Sequence, residues 1–141
     1  MSLYLPENLR AQLDEADRRR CAYCLTSEAN SGLPMTHDHI QPLSKGGETT
    51  FGNLCLACRS CNEFKADLTR ADDPLTGELT PLFNPRTQQW AEHFAWSTDG
   101  TLIVGLTPTG RATVIALRMN NPTILAARRR WAMGGWHPPA D

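Results

Sequence analysis

The sequence predicts an α+β fold in two parts. Residues 1–70 form a small core stapled by a four-cysteine zinc site, and residues 71–141 add an antiparallel β-sheet and a terminal helix packed on that core. Three observations carry this prediction. Cys21 with Cys24, and Cys58 with Cys61, form two CxxC pairs, each suited to present two thiolates to one tetrahedral ion. Short extended and helical runs lie between and beside these pairs. Further on, Asp99-Gly100 is a hairpin signal, and Asn121-Pro122 opens a helix that closes at Gly134.

Taken in order, Pro6 precedes a run with Leu5, Leu9, Leu13 and Ala16 at helical spacing, so a short amphipathic helix leads into Cys21. Residues 27–34 contain Asn30, Ser31 and Gly32 and read as a loop. Residues 35–42 read as a short strand, 44–47 as a turn, and 51–56 as a second extended piece. A helix is expected over 60–68. Residues 69–86, rich in Pro, Gly, Asp and Asn, have the composition of a long ordered loop. Trp90, Glu92, Phe94 and Trp96 alternate with small residues and His93, which predicts a strand with one aromatic face. That face reads as core rather than as a base-stacking platform. Two further strands are expected, at 101–104 after the hairpin turn and at 112–117. The last helix should carry Arg128, Arg129, Arg130 and Trp131.

Composition sets outer limits. A chain of 141 residues buries about two-thirds of its unfolded surface, enough for a core without disulfides. No apolar run reaches the roughly 20 residues of a membrane span. The first residues lack the pattern of a secretory signal, so a cytoplasmic protein without a membrane partner is expected. Five cysteines in that setting argue for metal rather than disulfides. Residues 1–100 carry nine Lys/Arg and fourteen Asp/Glu, while 101–141 carry five Arg and one Asp. This permits a nucleic-acid partner without demonstrating one, because such partners need local basic surface.

The two CxxC pairs are separated by residues 25–57, a longer spacer than the roughly 15–20 residues of a zinc ribbon. Something substantial is inserted there, and the chemistry sits in the insert. A site closed by four thiolates leaves no open position, so this zinc is structural. The fifth cysteine, Cys55, lies between Leu54 and Leu56 and reads as a small core residue.

Inside this frame come His37-Asp38-His39-Ile40, then Gly46-Gly47, Asn53, and Cys61-Asn62-Glu63-Phe64-Lys65. Phosphodiester hydrolysis needs a base that titrates near neutrality, as histidine does, and a cation beside the phosphate. A carboxylate and an amide oxygen are hard ligands suited to Mg²⁺ or Mn²⁺. Taken singly, each residue also has an ordinary reading. Asp38-His39 would be a surface hydrogen-bonding pair, Asn53 a turn cap, and Asn62 a helix-start residue.

Taken together, residues 16–68 resemble the HNH endonuclease family. The resemblance implies a ββα-metal fold with His39 as general base, and Asp38 and Asn62 as ligands of the catalytic ion. It also implies that Asn53 holds the loop and orients His39, and that cleavage leaves 5′-phosphate and 3′-hydroxyl ends. His37, Lys65 and Arg128 are further candidates for substrate contacts, each with a solvated surface role as the ordinary alternative. Arg86, Arg111 and His93 are weaker ones. The C-terminal third resembles an extension found on one subgroup of bacterial HNH proteins.

The expected protein is therefore a metal-dependent endonuclease acting on DNA, by nicking or double-strand cutting. It would use structural Zn²⁺ with catalytic Mg²⁺ or Mn²⁺ (Ni²⁺ as a further candidate), need no small-molecule cofactor, and act as a monomer or homodimer. Two rivals come from other classes. One is a non-catalytic, zinc-stabilised nucleic-acid-binding module, indifferent to loss of His39. The other is a redox switch working through the CxxC pairs.

Overall fold

The computed structural model describes residues 4–140. Helix α1 (Glu7–Asp17) is amphipathic as its spacing predicts, with Leu13 fully buried and Arg18 closing it in the left-handed region. The expected loop after the first knuckle contains one helical turn, α2 (Glu28–Ser31), capped by the Ser27 side chain accepting from the Asn30 amide. Strand β1 (Thr36–His39) pairs antiparallel with β2 (Leu54–Ala57), with Asp38 opposite Cys55 and His39 opposite Leu54. Helix α3 (Arg59–Lys65) follows and packs on this hairpin. Two strands and a helix thus form one α+β unit around the knuckles.

The second half departs from expectation in three places. The stretch 69–86 is not all loop: β3 (Arg70–Asp72) and β4 (Leu79–Pro81) form a hairpin. The expected strand around Trp90 begins as a helical turn, α4 (Trp90–His93), and only then becomes β5 (Phe94–Trp96). Strand β5 pairs with β6 (Ile103–Gly105) across the predicted Asp99-Gly100 turn. The strand expected at 112–117 is instead part of helix α5 (Pro108–Ala116). Thr107 caps it by accepting from the Gly110 amide, and Pro108 supplies a preset first turn. Among the described residues the strands make separate two-stranded ladders rather than one sheet. The terminal helix, α6 (Pro122–Met133), forms as predicted, with the Asn121 side chain accepting from the Ile124 amide.

One apolar cluster runs through both halves, from Leu5, Leu13 and Tyr23 through Leu54 and Leu56 to Phe83, Phe94, Leu117 and Met119. Polar ties cross the same boundary. Arg86 grips Asp17 with two bonds of 2.8 and 2.9 Å, and Trp90 donates its indole N–H to the Tyr23 carbonyl at 2.8 Å. Within the second half, Arg111 on α5 makes a matching fork on buried Asp73 at 2.9 and 2.8 Å. The aromatic residues are core: Phe94 lies 5.1 Å from Phe83 and 5.2 Å from Trp90, ring centre to ring centre. Among the described residues no helix is long and apolar enough to cross a membrane.

Candidate active site and zinc centre

Each knuckle turns its chain so that an amide N–H points back at the first sulfur of its pair. The Cys24 amide is 3.5 Å from Cys21 Sγ, and the Cys61 amide is 3.4 Å from Cys58 Sγ. Cys58 also serves as N-cap of α3, so the second knuckle and the helix start are one structure. All four sulfurs lie within 4.8 Å of one another, with Cys24 and Cys58 3.7 Å apart. A tetrahedron with zinc–sulfur bonds of about 2.3 Å places sulfurs about 3.8 Å apart. Donor set and spacing therefore fit a structural zinc. Cys55 is not part of the cluster; it is fully buried, and burial pushes its thiol well above its ordinary pKa.

The β1–β2 hairpin divides the catalytic candidates. Thr36 and Asp38 share the strand face toward α3, whereas His37 and His39 share the other. On the α3 side, the Asn62 amide group donates to Thr36 Oγ1 at 2.8 Å, which leaves its carbonyl oxygen as the end not engaged there. Asp38 is buried and accepts from Tyr23 Oη at 2.7 Å and from Lys65 Nζ at 3.1 Å. Burial raises its carboxyl above the usual range, while Lys65 and Tyr23 pull it back. As donors, this carboxylate and the Asn62 amide oxygen are hard ligands that suit Mg²⁺ or Mn²⁺.

His39, half-buried at the end of β1, places Nε2 3.0 Å from Thr49 Oγ1. Its pKa lies below the ordinary value because partial burial disfavours the imidazolium; Asp38 raises it and Lys65 lowers it.

Asn53 pins the loop that follows His39. Its carbonyl oxygen accepts from the Gln41 amide at 2.8 Å, and its side-chain N–H groups donate to the Gln41 and Glu48 carbonyls at 3.0 and 2.8 Å. The Asn53 backbone carbonyl takes the Ile40 amide at 2.8 Å. A Cβ on Gly47 would collide with the Gln41 carbonyl and the Asn53 amide, so this position needs glycine.

The three residues expected to contact substrate have varied surroundings. His37 is half-buried near Asp14 and Arg10 of α1, and burial lowers its pKa. Lys65 is 1% exposed, bonded to Asp38 and to the carbonyls of His39 and Ile40. Its ammonium is taken up by these partners, so it is not a solvated lysine. Arg128 is 0% exposed, donating to the Thr101 and Met119 carbonyls and to Asn120. It lines a small cavity with Cys24, Cys58 and Cys61, where a positive charge complements thiolates. Arg86 and Arg111 are likewise taken up by Asp17 and Asp73. Tyr23 and Thr49 were absent from the expected set. Tyr23 had a signal, since a tyrosine inside a cysteine knuckle is buried and its hydroxyl then needs a partner. Thr49 had none.

Comparison with known proteins agrees with this geometry. Residues 21–67 match the model of the HNH endonuclease family, a stretch running from the first zinc cysteine to just past α3. The match spans about a third of the chain, and the matched family implies nuclease-type chemistry on nucleic acid. No curated protein and no solved structure matches the chain.

Proposed function

We propose that this chain is a metal-dependent HNH endonuclease that hydrolyses phosphodiester bonds in DNA, with His39 as general base. The observation that carries the reading is the setting of His39. It is an imidazole at a strand end whose pKa is lowered by partial burial, tethered through one nitrogen to Thr49, and followed by a loop that Asn53 locks with three side-chain hydrogen bonds.

In the tautomer whose Nε2–H donates to Thr49, the lone pair of Nδ1 takes a proton from the attacking water. Asn53 keeps the loop from drifting, so the ring meets the water in one orientation. At Asp38 and Asn62, Mg²⁺ or Mn²⁺ (Ni²⁺ as a further candidate) would supply charge stabilisation at the phosphate and the leaving 3′-oxygen. Water attack with loss of that oxygen leaves 5′-phosphate and 3′-hydroxyl ends. Residues 1–70 serve as the nuclease unit and 71–141 as an extension. A single such site nicks one strand per engagement, so double-strand breaks call for a homodimer or two visits.

The test is cleavage of supercoiled plasmid by wild type and His39→Ala, in EDTA and in Mg²⁺, Mn²⁺ or Ni²⁺, with zinc content measured in parallel. Metal-dependent cleavage that falls about 10²–10⁴-fold in the variant at unchanged zinc content is the expected result. DNA binding without cleavage by the wild type in every metal would replace this reading with that of a zinc-stabilised binding module.

A further inference from the structure

The Asp38 carboxylate already has a cation. Lys65 Nζ lies 3.1 Å from one carboxylate oxygen and 3.2 Å from the other, and the two side chains are only 2% and 4% exposed. The same ammonium donates to the carbonyls of His39 and Ile40, both at 3.2 Å. Tyr23 supplies one more, uncharged donor to Asp38. A buried charge is tolerated only when paired, and here the pairing is complete without any divalent ion.

This has a consequence for metal binding. Among the described residues, no second group of three His, Cys, Asp or Glu side chains outside the zinc cysteines could hold an ion. Asp38 is therefore not part of a three-ligand group that would share the ion's charge. If Lys65 stayed in place, ion and ammonium would meet across a single carboxylate with a net excess of positive charge. The ammonium has somewhere to go. Lys65 also lines a cleft of about 480 Å³ beside Ile40, Gln41 and Arg70, and none of the zinc cysteines lines it.

Resting on the metal-dependent reading above, we propose that Lys65 is the resident counter-ion of the Asp38 site, which a divalent ion must displace into the adjoining cleft. Lys65 acts through Asp38, so it is a positioning residue. It holds the carboxylate in place while the ion is absent, and it keeps the free protein's affinity for the ion low. The substrate's own phosphate then supplies the negative charge that the site lacks.

The experiment is a Mn²⁺ titration without nucleic acid, followed by electron paramagnetic resonance. It uses the zinc-loaded wild type, Lys65→Gln, Lys65→Met and Asp38→Asn. The lysine variants should bind Mn²⁺ at least about tenfold more tightly than wild type, and Asp38→Asn should lose the site. Equal or weaker binding by both lysine variants, with Asp38→Asn still defective, overturns the role of Lys65 and leaves the metal reading standing. No Mn²⁺ bound by any of the four proteins overturns both. Zinc content and circular dichroism check that the variants fold. Should neither lysine variant fold, the wild type decides alone: the slowly exchanging ammonium signal of Lys65 in ¹⁵N NMR should shift or vanish on Mg²⁺ addition. A signal unchanged at Mg²⁺ levels that displace bound Mn²⁺ from the free wild type refutes the proposal.

Discussion

Replacing Arg86 by Met should destabilise the protein by about 3–5 kcal/mol, the usual cost of breaking a buried ion pair from one side. The magnitude follows from what Asp17 would lose. Its carboxylate accepts two guanidinium bonds at 2.8 and 2.9 Å, and both side chains are at most a tenth exposed. Afterwards the Leu56 amide at 2.8 Å is the remaining donor to that charge. Arg86 also donates to the Phe51 carbonyl and lies over the Phe51 ring at 4.6 Å, contacts that go with it. Urea or thermal unfolding in the presence of zinc reads the effect, as a fall in Tm on the order of 10 °C or more. Adding Asp17→Asn to Arg86→Met should recover part of the loss, because the stranded charge is what costs most. A loss under about 1 kcal/mol for Arg86→Met alone would refute the reasoning; such a value belongs to an exposed pair.

Removal of zinc should abolish cooperative folding. The apparent free energy of a four-thiolate site is about 10–16 kcal/mol, comparable to the entire stability of a domain. Elemental analysis should find one zinc per chain, and a chelated protein that still melts cooperatively within a few degrees of the native one would count against the structural role. Acid should loosen the second half first. Arg111 holds the Asp73 carboxyl well below the usual range, and hydrogen bonds from the Thr101 amide and hydroxyl pull Asp99 down to about 2. Both folded values lie below the unfolded value of about 3.9, so this stability is full above that pH and is lost as pH falls toward 2. Tryptophan fluorescence should follow the transition, and Asp73→Asn should flatten its pH dependence; an unchanged acid limb would refute the assignment.

The core was legible in the sequence because its signals are local and mutually consistent. CxxC spacing, a strand carrying Asp38 and His39, a glycine turn and a helix start at Cys58 all belong to one small unit. The C-terminal half was harder to read for identifiable reasons. Trp90 and Phe94 fit strand alternation, yet they are also four residues apart, which is helical spacing. Val114 and Ile115 favour a strand, but Thr107-Pro108 caps and starts a helix by the same chemistry as Asn121-Pro122, and the cap prevails over β-propensity. Lys65 and Arg128 resemble solvated charges in any sequence pattern. Most of their partners are main-chain carbonyls, which no side-chain pattern displays.

The central claim is that His39 is the base, and chemical rescue tests it most directly. Cleavage of end-labelled duplex DNA by zinc-loaded His39→Ala would be followed with increasing free imidazole at fixed Mg²⁺. With His39 as the base, cleavage is negligible without imidazole and its rate rises with imidazole concentration, giving the same 5′-phosphate ends as the wild type. Cleavage at the wild-type rate with no imidazole present would contradict it.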